Sequence, residues 1–455
     1  MVLRMWSRLL CLVLVSSLLL LRTAAAQDER GSGGGISLLR DAEIEGIIRT
    51  WATPIWRAAG LDPAAVHIYI IDDPQLNAFV AGGQNLFLNS GTLLRSDSPN
   101  QLIGIMAHET GHMAGGHLAR SEEMMKNASI EGIIALVTGV AAAVATRSGG
   151  AAAAGVLGGE SMAERSYFSF SITQEASADQ AALTFLDRTH QSARGLLQFF
   201  EILEQEELLT AGHQDPYLRT HPLTSQRVDY VRHHVEISPW SNAKDPPEWI
   251  EMHKRMKAKL RAFLQPPGTM PEEYKADDHS VASRYARAIA EYRTPDLAKA
   301  VPDIDSLIRD YPQDPYFREL KGQMLFENGR IAEAVAPYEE AVRLKPDSQL
   351  LRVELAQVQL ETNDPALVPK ALLNLQNAVL FEDRNPDAWH FLAVAYGRSN
   401  NMGMMALSLA EEGMANGDYR QARQQATRAI HLLPPGLDKQ RAIDLQGDAK
   451  REDDH

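Results

Sequence analysis

Disulfides are excluded by count: the chain of 455 residues holds one cysteine, Cys11, so stability must come from buried apolar surface or a bound metal. A basic excess is also missing. Lys and Arg number 45 against 59 Asp and Glu, a net charge of −14, which removes nucleic acid from the expected partners. Long apolar runs are absent too. Leu9–Leu21 follows Arg4 and Arg8 and precedes Ala24, Ala25 and Ala26; it falls short of the roughly 20 residues of a membrane span and reads as a secretory signal peptide over 1–26. Without Arg4, Arg8 and Arg22 the charge falls to about −17. A flexible stretch, 27–40, is expected to follow.

What the chain does have is His108-Glu109-Thr110-Gly111-His112, answered downstream by Glu175-Ala176-Ser177-Ala178-Asp179. Residues four apart share a helix face, so His108 and His112 can turn two imidazole nitrogens towards one metal ion with Glu109 beside them. Ser98-Pro99-Asn100-Gln101 is a helix start with a capping box, and Leu102, Ile103, Ile105 and Met106 give that helix a buried stripe. A catalytic zinc needs three protein ligands and an open position for water. A third histidine six residues after the second would lie at 118, where Leu118 stands, and His117 is off the helical face. The second motif sits on its own predicted helix from Thr173, with Glu175 and Asp179 on one face. Glu175 is the expected third ligand; the alternative is an acid that merely favours a helix N-terminus.

These two motifs, with Thr220-His221-Pro222-Leu223-Thr224-Ser225-Gln226-Arg227 and the helical repeats after them, resemble the CAAX-prenyl-protease-like zinc metallopeptidases over about residues 40–435. Within that family the likeness is strongest to a periplasmic branch concerned with outer-membrane β-barrel proteins. The resemblance implies one Zn2+ per chain held by His108, His112 and Glu175, with Glu109 as general base and Asp179 orienting a ligand imidazole. It also places His221 near the metal, as a fourth ligand closing the site or as a donor to the tetrahedral oxyanion. On its residues alone, His221 is equally a helix-start position before Pro222. Arg227 is expected to pair with an acid near the site or to form an ordinary structural ion pair. His67, His117, His190, His213, His233 and His234 carry no ligand spacing.

The expected fold is α+β and mostly helical: a zincin-like domain with a small sheet over 41–236, then an α-solenoid of tetratricopeptide repeats. Ile44, Ile47, Ile48, Trp51 and Ile55 mark an amphipathic helix; Val66–Ile71 and Leu86–Leu88 read as strands, with Asn77 to Gly83 between them. The sheet edge is a candidate for holding a substrate as an added strand. Within the domain, 130–160 is apolar and glycine-interrupted, and is expected to be a lid over the cleft or a buried hairpin. A connector over 237–278 carries Lys254, Arg255, Lys257, Lys259 and Arg261, expected as a solvated face. Repeats over 279–436 follow from Gly322, Leu325, Gly329, Ala334, Tyr338, Ala341 and Pro346, with Pro312 one 34-residue period earlier. Trp389, Leu392, Ala393 and Tyr396 open another unit; Gly417, Tyr419, Ala422, Ala429 and Pro434 close the array. A disordered polar tail, 437–455, is expected last.

Two functions fit. The first is a secreted, periplasmic endopeptidase, peripheral to the outer membrane, that degrades unfolded or misassembled polypeptides, with the repeats recruiting clients or the outer-membrane β-barrel assembly machinery. The second is a periplasmic chaperone or assembly scaffold with a structural or closed zinc site. Glu109 favours the enzyme, because a structural site has no use for a base.

Overall fold

A computed structural model of the chain describes residues 37–117, 129, 130, 132–134, 172–209 and 216–453, save 267, 268, 270–272, 276 and 295. The expected signal peptide lies outside the described residues, as does most of 130–160. Helix α1 (Ala42–Ala58) starts at Asp41, whose side chain accepts from the Ile44 N–H, and buries Ile44, Ile47, Ile48, Trp51 and Ile55. Among the described residues four strands follow the order β1-β2-β4-β3: β1 (Leu38–Leu39), β2 (His67–Ile71), β3 (Ala78–Ala81) and β4 (Asn85–Asn89). β2 and β4 are parallel, while β1 and β3 join their outer edges antiparallel.

Two of these strands were not legible in advance. The stretch expected to be flexible, 27–40, ends in β1, paired through Leu38 and Leu39 to Ile71 and Ile70. β3 is a strand of only four residues, closed onto β4 by Gly82 and Gly83, both at positive φ where a side chain would be strained. The sheet alternates with period two. Ile68, Ile70, Ala78, Val80, Leu86 and Leu88 face α1 and the helices behind it. Tyr69, Phe87 and Phe79 face the other way and stack in a row, with centroids 5.2 and 4.7 Å apart. Ile130, Ile133 and Ile134 cover that second face. The described start of the apolar segment therefore packs on the back of the sheet and not over the cleft.

On the front lie α2 (Ser90–Arg95), α3 (Pro99–Ala114), α4 (Ile172–Arg188), α5 (Arg194–Leu209), α6 (Pro216–Thr220) and α7 (Ser225–Ile237). α3 is the central helix. Ser98 accepts from the Gln101 N–H at 3.3 Å, and Gln101 reaches back to the Asp97 N–H at 2.8 Å, one residue beyond a standard capping box. Two glycines let its neighbours close in. A Cβ on Gly104 would stand 2.7 Å from the Leu196 backbone nitrogen, and one on Gly111 would stand 2.6 Å from the Ala178 carbonyl.

The connector contains α8 (Pro247–Leu264); Lys254 is exposed, but Arg255 and Lys259 are not part of a solvated face. Met256 and Leu260 belong to the first core while Ala258 and Ala262 belong to the next. Lys259, 1% exposed, meets Asp41 at 2.8 Å, Glu319 at 3.3 Å and Glu43 at 3.5 Å. Arg255 meets Glu43 and Asp314 at 2.5 Å each and lies over the Phe317 ring. Burial without partners would be prohibitive for these groups, so the carboxylates at the head of α1 and in the repeats are what permit it. The helical period could not reveal this, because the partners are distant in sequence.

His253 of α8 is 5% exposed, with Nε2 2.8 Å from Ser96 Oγ. Burial, helped by Lys257, takes its pKa down to about 4. Above about pH 6.5 the ring is neutral in folded and unfolded chain alike; from there down to about 4 only the unfolded chain gains the proton, so stability falls with pH by up to about 3 kcal/mol. Urea midpoints measured at pH 7 and pH 5 should diverge less in His253→Gln than in wild type. Equal divergence in both would remove the assignment.

Ten helices continue from there: α9 (Val281–Arg293), α10 (Leu297–Asp310), α11 (Pro315–Glu327), α12 (Ile331–Leu344), α13 (Gln349–Glu361), α14 (Val368–Phe381), α15 (Pro386–Arg398), α16 (Met402–Ala415), α17 (Tyr419–Leu432) and α18 (Leu437–Asp453). Each packs chiefly on its sequence neighbours, as repeats require. Gly322 admits the Tyr338 ring, which a Cβ would meet at 2.5 Å. The tail expected to be disordered is α18, which buries Ala442, Leu445 and Ala449 and closes the last core with Leu433. Its apolar seam is one narrow stripe in a polar sequence, too sparse for composition to signal. Among the described residues no helix is long and apolar enough to cross a membrane.

Candidate metal centre

α3 carries His108, Glu109 and His112 into the interior, and α4 brings Glu175 and Asp179 against them; all five are fully buried. The two helices meet where the motifs are smallest, at Gly111 and Ala178. The Nε2 atoms of His108 and His112 face one another at 3.1 Å. Glu175 lies across from both, Oε1 3.1 Å from His112 Nε2 and Oε2 3.4 Å from His108 Nε2. His221 joins them with Nδ1 3.1 Å from Glu175 Oε1. One donor atom from each of His108, His112, Glu175 and His221 falls within 4.8 Å of all the others.

Ligands about 2.0–2.1 Å from a tetrahedral zinc stand about 3.3 Å from each other, close to these separations. The electrostatics also call for a cation. Burial lowers both imidazoles, but hydrogen bonds to Asp179 and Glu175 lift His108 to about 10 while His112 stays well below its ordinary value. Two facing imidazole nitrogens beside a carboxylate draw positive charge between them, and the donor set fits a divalent metal.

Around this set the packing is polar and closed. Asp179 Oδ1 takes the other nitrogen of His108, Nδ1, at 2.9 Å. Arg227, on α7, grips Asp179 with Nε at 2.6 Å and Nη2 at 2.9 Å, and meets Glu175 Oε2 through Nη1 at 2.7 Å. Burial would raise the Asp179 carboxyl; hydrogen bonds from Arg227 and His108 outweigh it and leave the group ionised below the usual carboxylate range. The same Arg227 Nη1 donates to the Pro222 carbonyl at 2.7 Å, tying the loop after His221 to the centre.

His221 is not a helix-start residue. It follows α6, its N–H donates to the Tyr217 carbonyl at 2.8 Å, and α7 begins only at Ser225, capped by Thr224. Its ring stacks on Tyr217 at 4.5 Å. Glu109 differs from every other acid here: neither carboxylate oxygen has a hydrogen-bond partner among the described residues, and His221 Nε2 stands 3.7 Å from its Oε1. Burial pushes its pKa up to about 6 against the pull of His221 and His108.

Of the residues singled out in the sequence, His108, Glu109, His112, Glu175, Asp179, His221 and Arg227 are brought together. His190 stacks on Trp240 and His234 pairs with Asp187, both away from the centre; His213 lies outside the described residues. Two contributors escaped the sequence reading. Tyr217 had no motif. His117, set aside because it is off the α3 face, returns to the site with Nδ1 3.0 Å from His112 Nδ1; the signal was the Gly115-Gly116 pair, which ends the helix.

Residues 38–235 match the peptidase family M48 model, and 275–349 match a tetratricopeptide repeat model. Residues 38–235 form an M48 peptidase domain. The protein is a metalloprotease, of a family that implies a metal cofactor, commonly zinc. Over most of its length, the M48 domain included, the chain is 23% identical to the β-barrel assembly-enhancing protease of Escherichia coli O157:H7, over 92% of this chain and 85% of that one. It is 24% identical to the protein of the same name from Yersinia pestis, over 81% and 74%. The metalloprotease LoiP of E. coli K12 is 27% identical over 37% of this chain, within 62% of its own length. Among solved structures, yeast Tom70 aligns over 80% of this chain and 82% of its own at 12% identity, with a TM-score of 0.31.

Proposed function

We propose that this chain is a zinc-dependent endopeptidase of the periplasm that cleaves unfolded or misassembled polypeptides, outer-membrane β-barrel proteins among them. The unpartnered, fully buried Glu109 beside three converging ligand atoms carries the reading. A buried carboxyl that no other protein group engages is placed to take a proton from a water at the metal, which a purely structural acid has no need to do. His108, His112 and Glu175 would hold the zinc, which supplies Lewis acidity to the scissile carbonyl and acidity to water. Glu109 takes the proton of the attacking water and delivers it to the leaving amine, and burial keeps its basicity near the working range. Asp179 fixes the tautomer of His108, and Arg227 fixes Asp179.

Substrate access is favoured at β3, one of the two outer strands of the sheet and the one that packs against both α3 and α6. Main-chain pairing along that edge would accept an extended polypeptide of varied sequence. The repeats would then serve as the docking surface for clients or for the assembly machinery, as the names of the full-length relatives suggest.

His221 serves as a displaceable fourth ligand that closes the resting site. Its burial and its hydrogen bond to Glu175 favour that role over a free oxyanion donor. One experiment tests both levels. Wild type purified without chelator should carry one zinc per chain and cleave casein slowly; Glu175→Ala should lose the zinc, and His221→Ala should keep most of it and cleave several-fold faster. Zinc retained in Glu175→Ala overturns the ligand set, and activity lost in His221→Ala turns the histidine into an oxyanion donor.

A further inference from the structure

The end of α3 is built as a return turn. Gly116 takes φ +63°, its N–H donates to the Met113 carbonyl at 3.2 Å, and the His117 N–H donates to the His112 carbonyl at 3.2 Å. That pair of bonds is a Schellman motif, in which the second residue past the cap folds back over the third residue from the helix end, usually through an apolar contact. Here both positions are histidine. The rings meet edge-on at 5.1 Å, and Nδ1 faces Nδ1 at 3.0 Å.

Resting on the reading of His112 as a metal ligand, we propose that His117 is a positioning residue that holds His112 in its metal-binding tautomer by accepting the Nδ1 proton. His112 offers Nε2 to the His108 and Glu175 side of the centre, so its proton must sit on Nδ1 and needs an acceptor. His117 supplies one through its own Nδ1, 3.0 Å away. The arrangement parallels the other ligand, where Asp179 backs His108. It differs in origin: Asp179 comes from a second helix, whereas His117 is delivered by the helix stop itself.

Both glycines serve this geometry. A Cβ on Gly115 would lie 2.7 Å from His117 Nε2, displacing the ring, and any side chain at Gly116 would be strained at its positive φ. The sequence requirement is therefore His112, two glycines at 115 and 116, and His117 acting as one unit. A lone histidine nearby would not satisfy it.

Zinc affinity, measured by competition with a chromophoric chelator, reads the proposal without reference to turnover. His117→Ala should bind zinc about 10–100-fold more weakly. His117→Gln, whose amide oxygen can accept the same proton, should recover most of that loss, which a packing role alone would not produce. Gly116→Ala, with His117 intact, should weaken zinc in the same direction. Thermal unfolding in chelator checks that each variant folds; if His117→Ala does not, the Gln and Gly116→Ala variants decide. Zinc affinity unchanged in both His117→Ala and Gly116→Ala, while His112→Ala loses the metal, overturns the role of His117 and leaves the ligand set standing. Zinc retained by His112→Ala removes the ligand reading, and this inference with it.

Discussion

Glu109→Gln is expected to keep its zinc and lose peptide cleavage by about 10²–10⁴-fold, the usual contribution of a positioned general base. Glutamine preserves the shape of the side chain and removes only its ability to take a proton. The ligand atoms of His108, His112 and Glu175 do not hydrogen-bond to Glu109, so none of these three is held in place by it. Removing a buried, unpartnered carboxylate should also leave the fold as stable as before or make it slightly more so. Zinc content, cleavage of an unfolded substrate and thermal unfolding on one preparation therefore separate the roles. Residual cleavage near the wild-type rate would mean that another group takes the proton.

The second large effect is expected at a residue with no chemistry at all. Gly111→Val should strip the zinc and lower stability by several kcal/mol, although every ligand side chain remains. A Cβ at that position meets the Ala178 carbonyl at 2.6 Å and its Cα at 2.9 Å, and backbone cannot swing aside as a side chain does. Relief requires α3 and α4 to separate, and overpacking of this kind costs about 1–3 kcal/mol or more. Glu175 rides on α4 one turn before Ala178, so separation moves it away from His108 and His112. Metal analysis and urea denaturation of Gly111→Val and the milder Gly111→Ala check this, with the smaller side chain giving the smaller loss. Full zinc in Gly111→Val would mean that the helix contact does not set the ligand spacing.

The parts of the molecule readable in sequence are those whose information is local. His108 and His112 on one helical turn, Glu175 and Asp179 on another, and the Ser98 cap all follow from spacing of three or four residues. The repeats follow from small residues such as Gly322, which must admit a neighbouring ring. What escaped was set by distant partners or by the end of a local pattern. Leu38 and Leu39 are a strand only because Ile70 and Ile71 have a free edge. Lys259 is buried only because Asp41, Glu43 and Glu319 converge on it from three places. His117 was judged by the helical period of α3, which stops at Ala114, two residues before the chain reverses. The site itself was legible because two short motifs carry its ligands; its outer partners were less so, since Tyr217 reaches it from a separate element.

α8 also has a mechanical consequence. Because it contributes Met256 and Leu260 to the peptidase core and Ala258 and Ala262 to the first repeat core, it is a shared beam, not a tether. A load applied to the repeats by a bound chain passes through Glu319 and Lys259 to Asp41 and Glu43 at the head of α1, and α1 rests directly on α3. A polypeptide tugging on the solenoid is thus only one helix away from the histidines.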